Sequence, residues 1–271
     1  MELIEKRPPV GSLPGEWEPS KSIRISESGP TPRARQLEID PHSSVVFGED
    51  ILGSEDCRIL REAFLDSKCG CAVDVFGFSG EHQGHGLKTA DCDDSKGSLR
   101  ATAWSPELAD QLWKRLCPVI PATRKMFDTT ATDWHTPVPH RTWGKLALSP
   151  VLRFMSYIAG GQHCCHYDNS FDYGDGRRTL MSVVFYLTSV GPDEGGATRF
   201  VRDGQESLPT GQRSFADWTR LTEPQEVIER VPPIQGSALV FDHRLCHDVE
   251  QYHGSTPRVI IRGDVVFIPQ E

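Results

Sequence analysis

Hydrophobic and polar positions divide the chain into three unlike stretches. Over residues 1–36, Pro, Gly, Ser and charged residues follow one another with no apolar period. Such a segment buries too little surface to offset its ordering entropy, so it is expected to form an arm, anchored if at all through Trp17. From residue 37 to 271 a single domain is expected. LEIDPHSSVVFG supplies an opening strand, and GSEDCRILREAFLDSKCG predicts a helix. In that helix Ser54 stands as N-cap, Glu55 and Asp56 occupy the first turn, and Lys68 and Gly70 mark the end. Its apolar face is Ile59, Leu60, Ala63 and Phe64, with Asp56 on the solvated side. A second helix is capped by Ser105, carries Pro106 at its first position, and repeats Leu108, Leu112 and Leu116 before Pro118. The polar stretch between the helices, GFSGEHQGHGLKTADCDDSKGSLR, predicts a loop lying over a pocket. From about residue 150 the pattern changes. VLRFMSYI, LMSVVFYLTSV, EVIERV, SALVFD and RVIIRGDVVFI are short β-branched and aromatic runs separated by turn residues. The expected fold class is α+β, mainly β: a jelly roll with two helices packed against it.

Composition and charge narrow the function. The chain has 271 residues and 37% hydrophobic content, enough for a core, while 24 Gly and 20 Pro imply many turns. Lys+Arg is 29 against 38 Asp+Glu, a net charge of −9, which excludes the electrostatic footprint of a general nucleic-acid binder. No apolar run reaches the ~18 residues of a membrane span, and the opening MELIEKRPPVG does not read as a signal peptide. Eight cysteines without CxxC pairs do not make a disulfide framework, and the expected location is cytoplasmic.

The densest polar cluster of the β-rich half is GGQHCCHYDNSF. Side chains two apart on a strand share a face, so His166 and Asp168 project together while Tyr167 faces away. A third ligand must come from another segment, and His247 in FDHRLCHDVE is preferred to His243. Two imidazoles and one carboxylate with positions left open suit non-haem Fe(II), which must also bind a co-substrate and O2. His163, Cys164, Cys165 and His166 read as a zinc cluster only poorly, because neighbouring side chains of an extended chain diverge. Arg258 opens a strand on which Arg258, Ile260 and Arg262 alternate. If Ile260 faces inward, so do both arginines, and a buried arginine requires an anionic partner. A dicarboxylate held by the guanidinium fork supplies one.

These residues resemble the iron(II)- and 2-oxoglutarate-dependent dioxygenases, in particular their prolyl 4-hydroxylase-like branch. YIAGGQHCCHYD is similar to the branch's tyrosine, glycine-rich turn and HxD. SVVFYLT followed by EGGATRF is similar to its Tyr-Leu strand and Gly-Gly-x-Thr-x-Phe turn, and His247-Asp248-Val249 with Arg258 to its distal histidine and basic residue. The resemblance covers residues 150–268. It implies a double-stranded β-helix, with Fe(II) held by His166, Asp168 and His247 and 2-oxoglutarate held by Arg258; Tyr157, turned inward by its alternation with Met155 and Arg153, is either a hydrogen-bond donor to the co-substrate or a core tyrosine. The implied reaction is oxidative decarboxylation of 2-oxoglutarate with oxidation of an unactivated C–H bond. The interval from His247 to Arg258 is a residue or two longer than the branch's, which leaves Arg262 as the other co-substrate candidate. Retention of Asp168 speaks against the family's halogenases.

Around this centre Arg262, Arg153 and Arg100 are candidate contacts for a substrate carboxylate. The alternative for Arg262 is an ion pair with Glu194 or Asp264. Ser182 is expected to be structural, Asp172 and Asp175 to be turn residues, and Trp143 to lie in the core or at the rim, with a place beside the pocket as its alternative. The reading that follows is a hydroxylase of a small molecule, such as a free amino acid or a specialised-metabolism intermediate. The alternatives are a peptidyl-prolyl hydroxylase acting on protein and a non-catalytic metal-binding barrel. Oligomeric state is left open.

Overall fold

The computed structural model describes residues 23–41, 43–66, 71–72, 98–126, 141–208, 212 and 222–270. Trp17, Lys68, Gly70, Trp134, Trp218 and most of the polar stretch between the helices lie outside them. Among the described residues, fourteen strands and two α-helices follow in the order β1 (Arg33–Leu37), β2 (Val45–Glu49), α1 (Ser54–Asp66), β3 (Cys71–Ala72), β4 (Ser98–Trp104), α2 (Pro106–Leu116), β5 (Thr123–Met126) and β6 (Arg141–Leu148). The described strands of the second half are β7 (Val151–Tyr157), β8 (His163–His166), β9 (Arg178–Tyr186), β10 (Thr198–Val201), β11 (Val227–Val231), β12 (Ala238–Asp242), β13 (His247–Val249) and β14 (Arg258–Pro269).

The strands form two antiparallel sheets, the double-stranded β-helix or jelly roll that the pattern predicts. The larger runs β1-β2-β12-β9-β14-β7-β4-β3, with β6 beside β14 and β5 beside β6; the smaller runs β11-β10-β13-β8. Strand β14 organises the larger sheet. Its first half pairs with β7 and its second half with β6, while β9 runs along its other side. Alternation sorts its side chains into two cores. Val259, Ile261 and Val265 join Val183, Phe185 and Val240 under the helices, against Leu60 and Phe64 of α1 and Leu108, Leu112 and Leu116 of α2. Ile260 joins Met155, Tyr157, Val184, Tyr186, Phe200, Leu239 and Phe241 between the sheets. The inward placement of Ile260, on which the reading of both arginines turned, is therefore found.

Helix α2 starts as expected: Ser105 accepts from Leu108 N at 3.3 Å, and Pro106 occupies its first turn. Helix α1 corrects two expectations. Its first intrahelical bond runs from Cys57 N to Gly53 O, which makes Gly53 rather than Ser54 the N-cap. Asp56 is buried, not solvated: its carboxylate accepts from Gly53 N at 3.1 Å and Ser26 N at 2.7 Å. An acid three residues past the cap reaches back to the cap's N–H, as in a capping box, and here it also ties down residue 26. Pairing begins at Arg33, ahead of Leu37, because β1 is an edge strand with no apolar alternation to betray it. Further upstream, Ile25 is buried in the helix-side core. Strands β4 and β6 were also not anticipated. Trp143 of β6 packs in the helix-side core rather than beside the pocket.

Candidate metal centre and co-substrate pocket

His166 ends β8, and Asp168 lies two residues beyond it. His247 opens β13, whose pairing with β8 sets His247 directly opposite His166. One cross-strand pair thus brings together imidazoles 81 residues apart in the chain. The ligand atoms of His166, Asp168 and His247 lie within 4.8 Å of one another, and no other group of described His, Cys, Asp or Glu residues is so arranged. Asp168 lies 3.9 Å from His166 Nε2 through Oδ1 and 3.7 Å from His247 Nε2 through Oδ2. The Nδ1 atoms face backbone carbonyls at 2.9 Å, Cys164 O for His166 and Leu245 O for His247, which leaves Nε2 of each ring toward the shared space. Tyr167 points to the opposite side, donating to Asp203 Oδ2 at 2.7 Å, as strand alternation requires.

Burial, then the adjacent His247 ring, pushes His166 down to about 3. Burial likewise lowers His247. Both rings are thus neutral at neutral pH, the state that binds a cation. Burial alone would raise Asp168, but the Arg262 guanidinium beside it opposes this, and the carboxyl stays well below the usual carboxylate range. His243 stands apart from this group, 3.3 Å from Asp264 Oδ1. His163 does not join the ligand set. A bulge between β8 and β13 turns it to the face of His166, where the two rings stack with centroids 4.2 Å apart.

Arg258 is fully buried, and none of its three guanidinium nitrogens has a hydrogen-bond partner among the described residues. Its charge lies over aromatic faces instead, 4.8 Å from the Tyr157 ring centroid and 5.9 Å from that of Tyr186. Gly196 makes room for it: a Cβ at that position would meet Arg258 Cδ at 2.9 Å, and the backbone there has φ +70. Tyr157 is buried beside it, its hydroxyl raised by burial against the pull of Arg258. The second aromatic wall, Tyr186, bonds Thr198 at 2.8 Å and was missed by the sequence reading, which took it only as part of a strand.

Arg262 faces the same interior but is already engaged. Its Nη2 lies 2.7 Å from Asp168 Oδ1, 3.1 Å from Asp264 Oδ1 and 3.2 Å from Ser182 Oγ. Of the two ion-pair partners considered, Asp264 is the one observed, whereas Glu194 accepts from Gly191 N. Asp168 as a partner was not foreseen. Nor was the hydroxyl of Ser182, which donates to Asp168 Oδ2. Arg153 gives Nη1 to Asp264 Oδ2 at 2.8 Å, its sole hydrogen bond among the described residues, and keeps 23% of its side chain exposed. Arg100 is on strand β4, not in a loop, opposite Met155 and so on the face that bears Arg153 and Tyr157. Asp172 and Asp175 pair with Arg178 and Arg177 at a turn, as expected.

A jelly roll whose inner face gathers two neutral imidazoles, one carboxylate and a buried unpaired guanidinium has the donor set of a non-haem Fe(II) oxygenase. Residues 152–263 match the family model of the 2OG-Fe(II) oxygenase superfamily, so this segment, with its His-Asp-His site, is similar to oxygenases that use Fe(II) and 2-oxoglutarate. No curated protein matches the chain in sequence. Among solved structures, the viral collagen prolyl hydroxylase vCPH of Paramecium Bursaria Chlorella virus-1 is 14% identical over 86% of this chain and 100% of that one, with a TM-score of 0.43. A Pseudomonas putida prolyl-4-hydroxylase is 15% identical over 84% and 93%, with a TM-score of 0.44. HygX of Streptomyces hygroscopicus, with nickel and 2-oxoglutarate bound, is 14% identical over 84% and 83%, also at 0.44. No helix among the described residues is long and apolar enough to cross a membrane.

Proposed function

We propose that the protein hydroxylates, or otherwise oxidises, an unactivated C–H bond of a small molecule that bears a carboxylate. His166, Asp168 and His247 hold Fe(II). Arg258 binds the distal carboxylate of 2-oxoglutarate, and Tyr157 borders that co-substrate. The observation that carries this reading is Arg258. A guanidinium this deep with no hydrogen-bonding anion is a large uncompensated cost, and a dicarboxylate reaching from the metal side relieves it with a two-pronged bond. The iron, when bound, supplies the activation of O2. The chain's own residues keep both imidazoles unprotonated, hold the carboxylate between a guanidinium and a hydroxyl, and line the co-substrate end with aromatic rings that exclude water. The overall balance is substrate C–H plus 2-oxoglutarate plus O2 to alcohol, succinate and CO2, one oxygen atom entering each organic product.

The small-molecule reading is supported by the cationic interior. Arg258 and Arg262 are committed by this scheme, the one to 2-oxoglutarate and the other to Asp168 and Asp264. Arg153 retains donors toward the open side and is the residue proposed to take the substrate carboxylate, with Arg100 beside it on the same face. The protein is loaded with Fe(II) and 2-oxoglutarate in air, and succinate is measured with a panel of free amino and other carboxylic acids and with proline-rich peptides. Substrate-dependent succinate with an acid, and a raised KM for it in Arg153→Met, is the expected result. Turnover with the peptides alone would transfer the assignment to a protein hydroxylase, and the absence of succinate release with every compound and peptide would reject the oxygenase reading in favour of a binding barrel.

A further inference from the structure

Asp168 is held from two directions before any ion arrives, and the stronger hold is a full positive charge. Arg262 reaches Asp168 Oδ1 at 2.7 Å, while Ser182 donates to Oδ2. The register of β14 explains the position: Arg262 sits directly opposite Arg153 on β7, and Asp264, two residues on, sits opposite Ser182 on β9. Like charges facing each other across a strand pair are unfavourable. Here Asp264 bridges them, with Oδ2 on Arg153 at 2.8 Å and Oδ1 on Arg262 at 3.1 Å. Two guanidiniums against two carboxylates leave this buried group neutral, so a cation bound by Asp168 adds its whole charge to a cluster already in balance.

We infer that Arg262 is a positioning residue that fixes the plane of the Asp168 carboxylate and, through that shared carboxylate, biases bound iron toward the ferrous state. The physical basis is charge. Oxidation of Fe(II) to Fe(III) by loss of one electron adds a unit of positive charge, and a guanidinium across one carboxylate from the metal opposes it in a poorly screened interior. Ser182 supplies a hydrogen bond to the same carboxylate without a charge, so it orients the group without opposing oxidation. Asp264 draws part of the Arg262 charge away from Asp168. Its removal acts in the opposite direction.

This inference rests on the assignment of His166, Asp168 and His247 as iron ligands. It is tested by mediated redox titration of the iron-loaded full chain, following the ferric spectrum, with the iron content of each sample measured first. Arg262→Gln is expected to lower the ferric/ferrous midpoint by roughly 59 mV, a tenfold change in the equilibrium between the two states. Arg262→Lys, which keeps the charge, and Ser182→Ala, which removes only a neutral donor, should stay within about a third of that shift, and Asp264→Asn should raise the midpoint. Iron-replete Arg262→Gln with the wild-type midpoint overturns the inference. Should Arg262→Gln fail to hold iron, an Asp264→Asn midpoint at or below wild type overturns it just as directly. Failure of the ligand assignment itself reads differently: the wild-type chain would then bind no iron at all.

Discussion

A guanidinium sealed from water without a hydrogen-bonded anion destabilises the chain that carries it, and Arg258 is in that state. Breaking a buried charged pair by removing one partner typically costs about 2–5 kcal/mol, so the co-substrate should repay much of what Arg258 costs. Two opposite effects follow in Arg258→Met. Without ligand, the variant should melt at or above the wild-type temperature, because a buried uncompensated charge is replaced by an apolar side chain of similar length. With 2-oxoglutarate, the rise in Tm expected of the wild type should vanish in the variant, and affinity should fall by a factor of tens to thousands, a range set by about 2–5 kcal/mol. Thermal melts with and without 2-oxoglutarate and a redox-inert metal measure both. A co-substrate-induced shift that survives in Arg258→Met would move the co-substrate contact to another residue. The shared face of His166 and Asp168 and the inward face of Arg258 could be read from the chain because each rests on a short, regular interval: two residues for His166 and Asp168, alternation for Arg258, Ile260 and Arg262. Ser182 and Arg262 as partners of Asp168 could not. Their approach depends on the register between β9 and β14, which no local spacing encodes.

At the scale of elements, the start of α1 shows how a polar residue can be misjudged by its neighbours. Asp56 stands in an acidic first turn, where solvated carboxylates are common, yet it bonds two backbone N–H groups from a buried position. Asp56→Ala should cost about 0.5–2 kcal/mol as a lost cap, toward the upper end because Ser26 N is orphaned as well. Denaturant unfolding of the ligand-free protein measures this, and a change below about 0.3 kcal/mol would show that water replaces the carboxylate. Elements with a strong period were legible. Helix α2, with its cap and leucine repeat, matches expectation, as do the apolar strands β7, β9, β12 and β14. Strands β1, β4 and β6 were not legible, since RARQL, SLRATAW and RTWGKLAL lack clean alternation and owe their pairing to the sheet beside them.

For the molecule as a whole, the described residues ahead of Leu37 join the body through several contacts, three of which are a strand pairing, a buried apolar side chain and a cap. Strand β1 pairs with β2, Ile25 enters the helix-side core, and Ser26 N meets Asp56. A chain beginning at Leu37, the expected domain start, loses all three, whereas one beginning at Ile23 keeps them. The shorter chain should be less stable by at least about 2 kcal/mol, the scale of one buried isoleucine together with a cap. Equal unfolding midpoints for the two truncated chains would show that these contacts contribute nothing.

What the amino-acid order determined by itself was local: which segments are strands or helices by period, which residues share a strand face, and which side chains could serve as metal ligands or an anion clamp. Those properties follow from backbone geometry that repeats every two or about 3.6 residues. Tertiary structure alone decided which faces meet. It placed His247 opposite His166, left Arg258 beneath two tyrosines without an anion, and drew Arg262 to Asp168 and Asp264 rather than leaving it open to substrate. The physical reason is that these outcomes depend on strand register and on competition among charges far apart in the chain, and both are settled only when the sheets close.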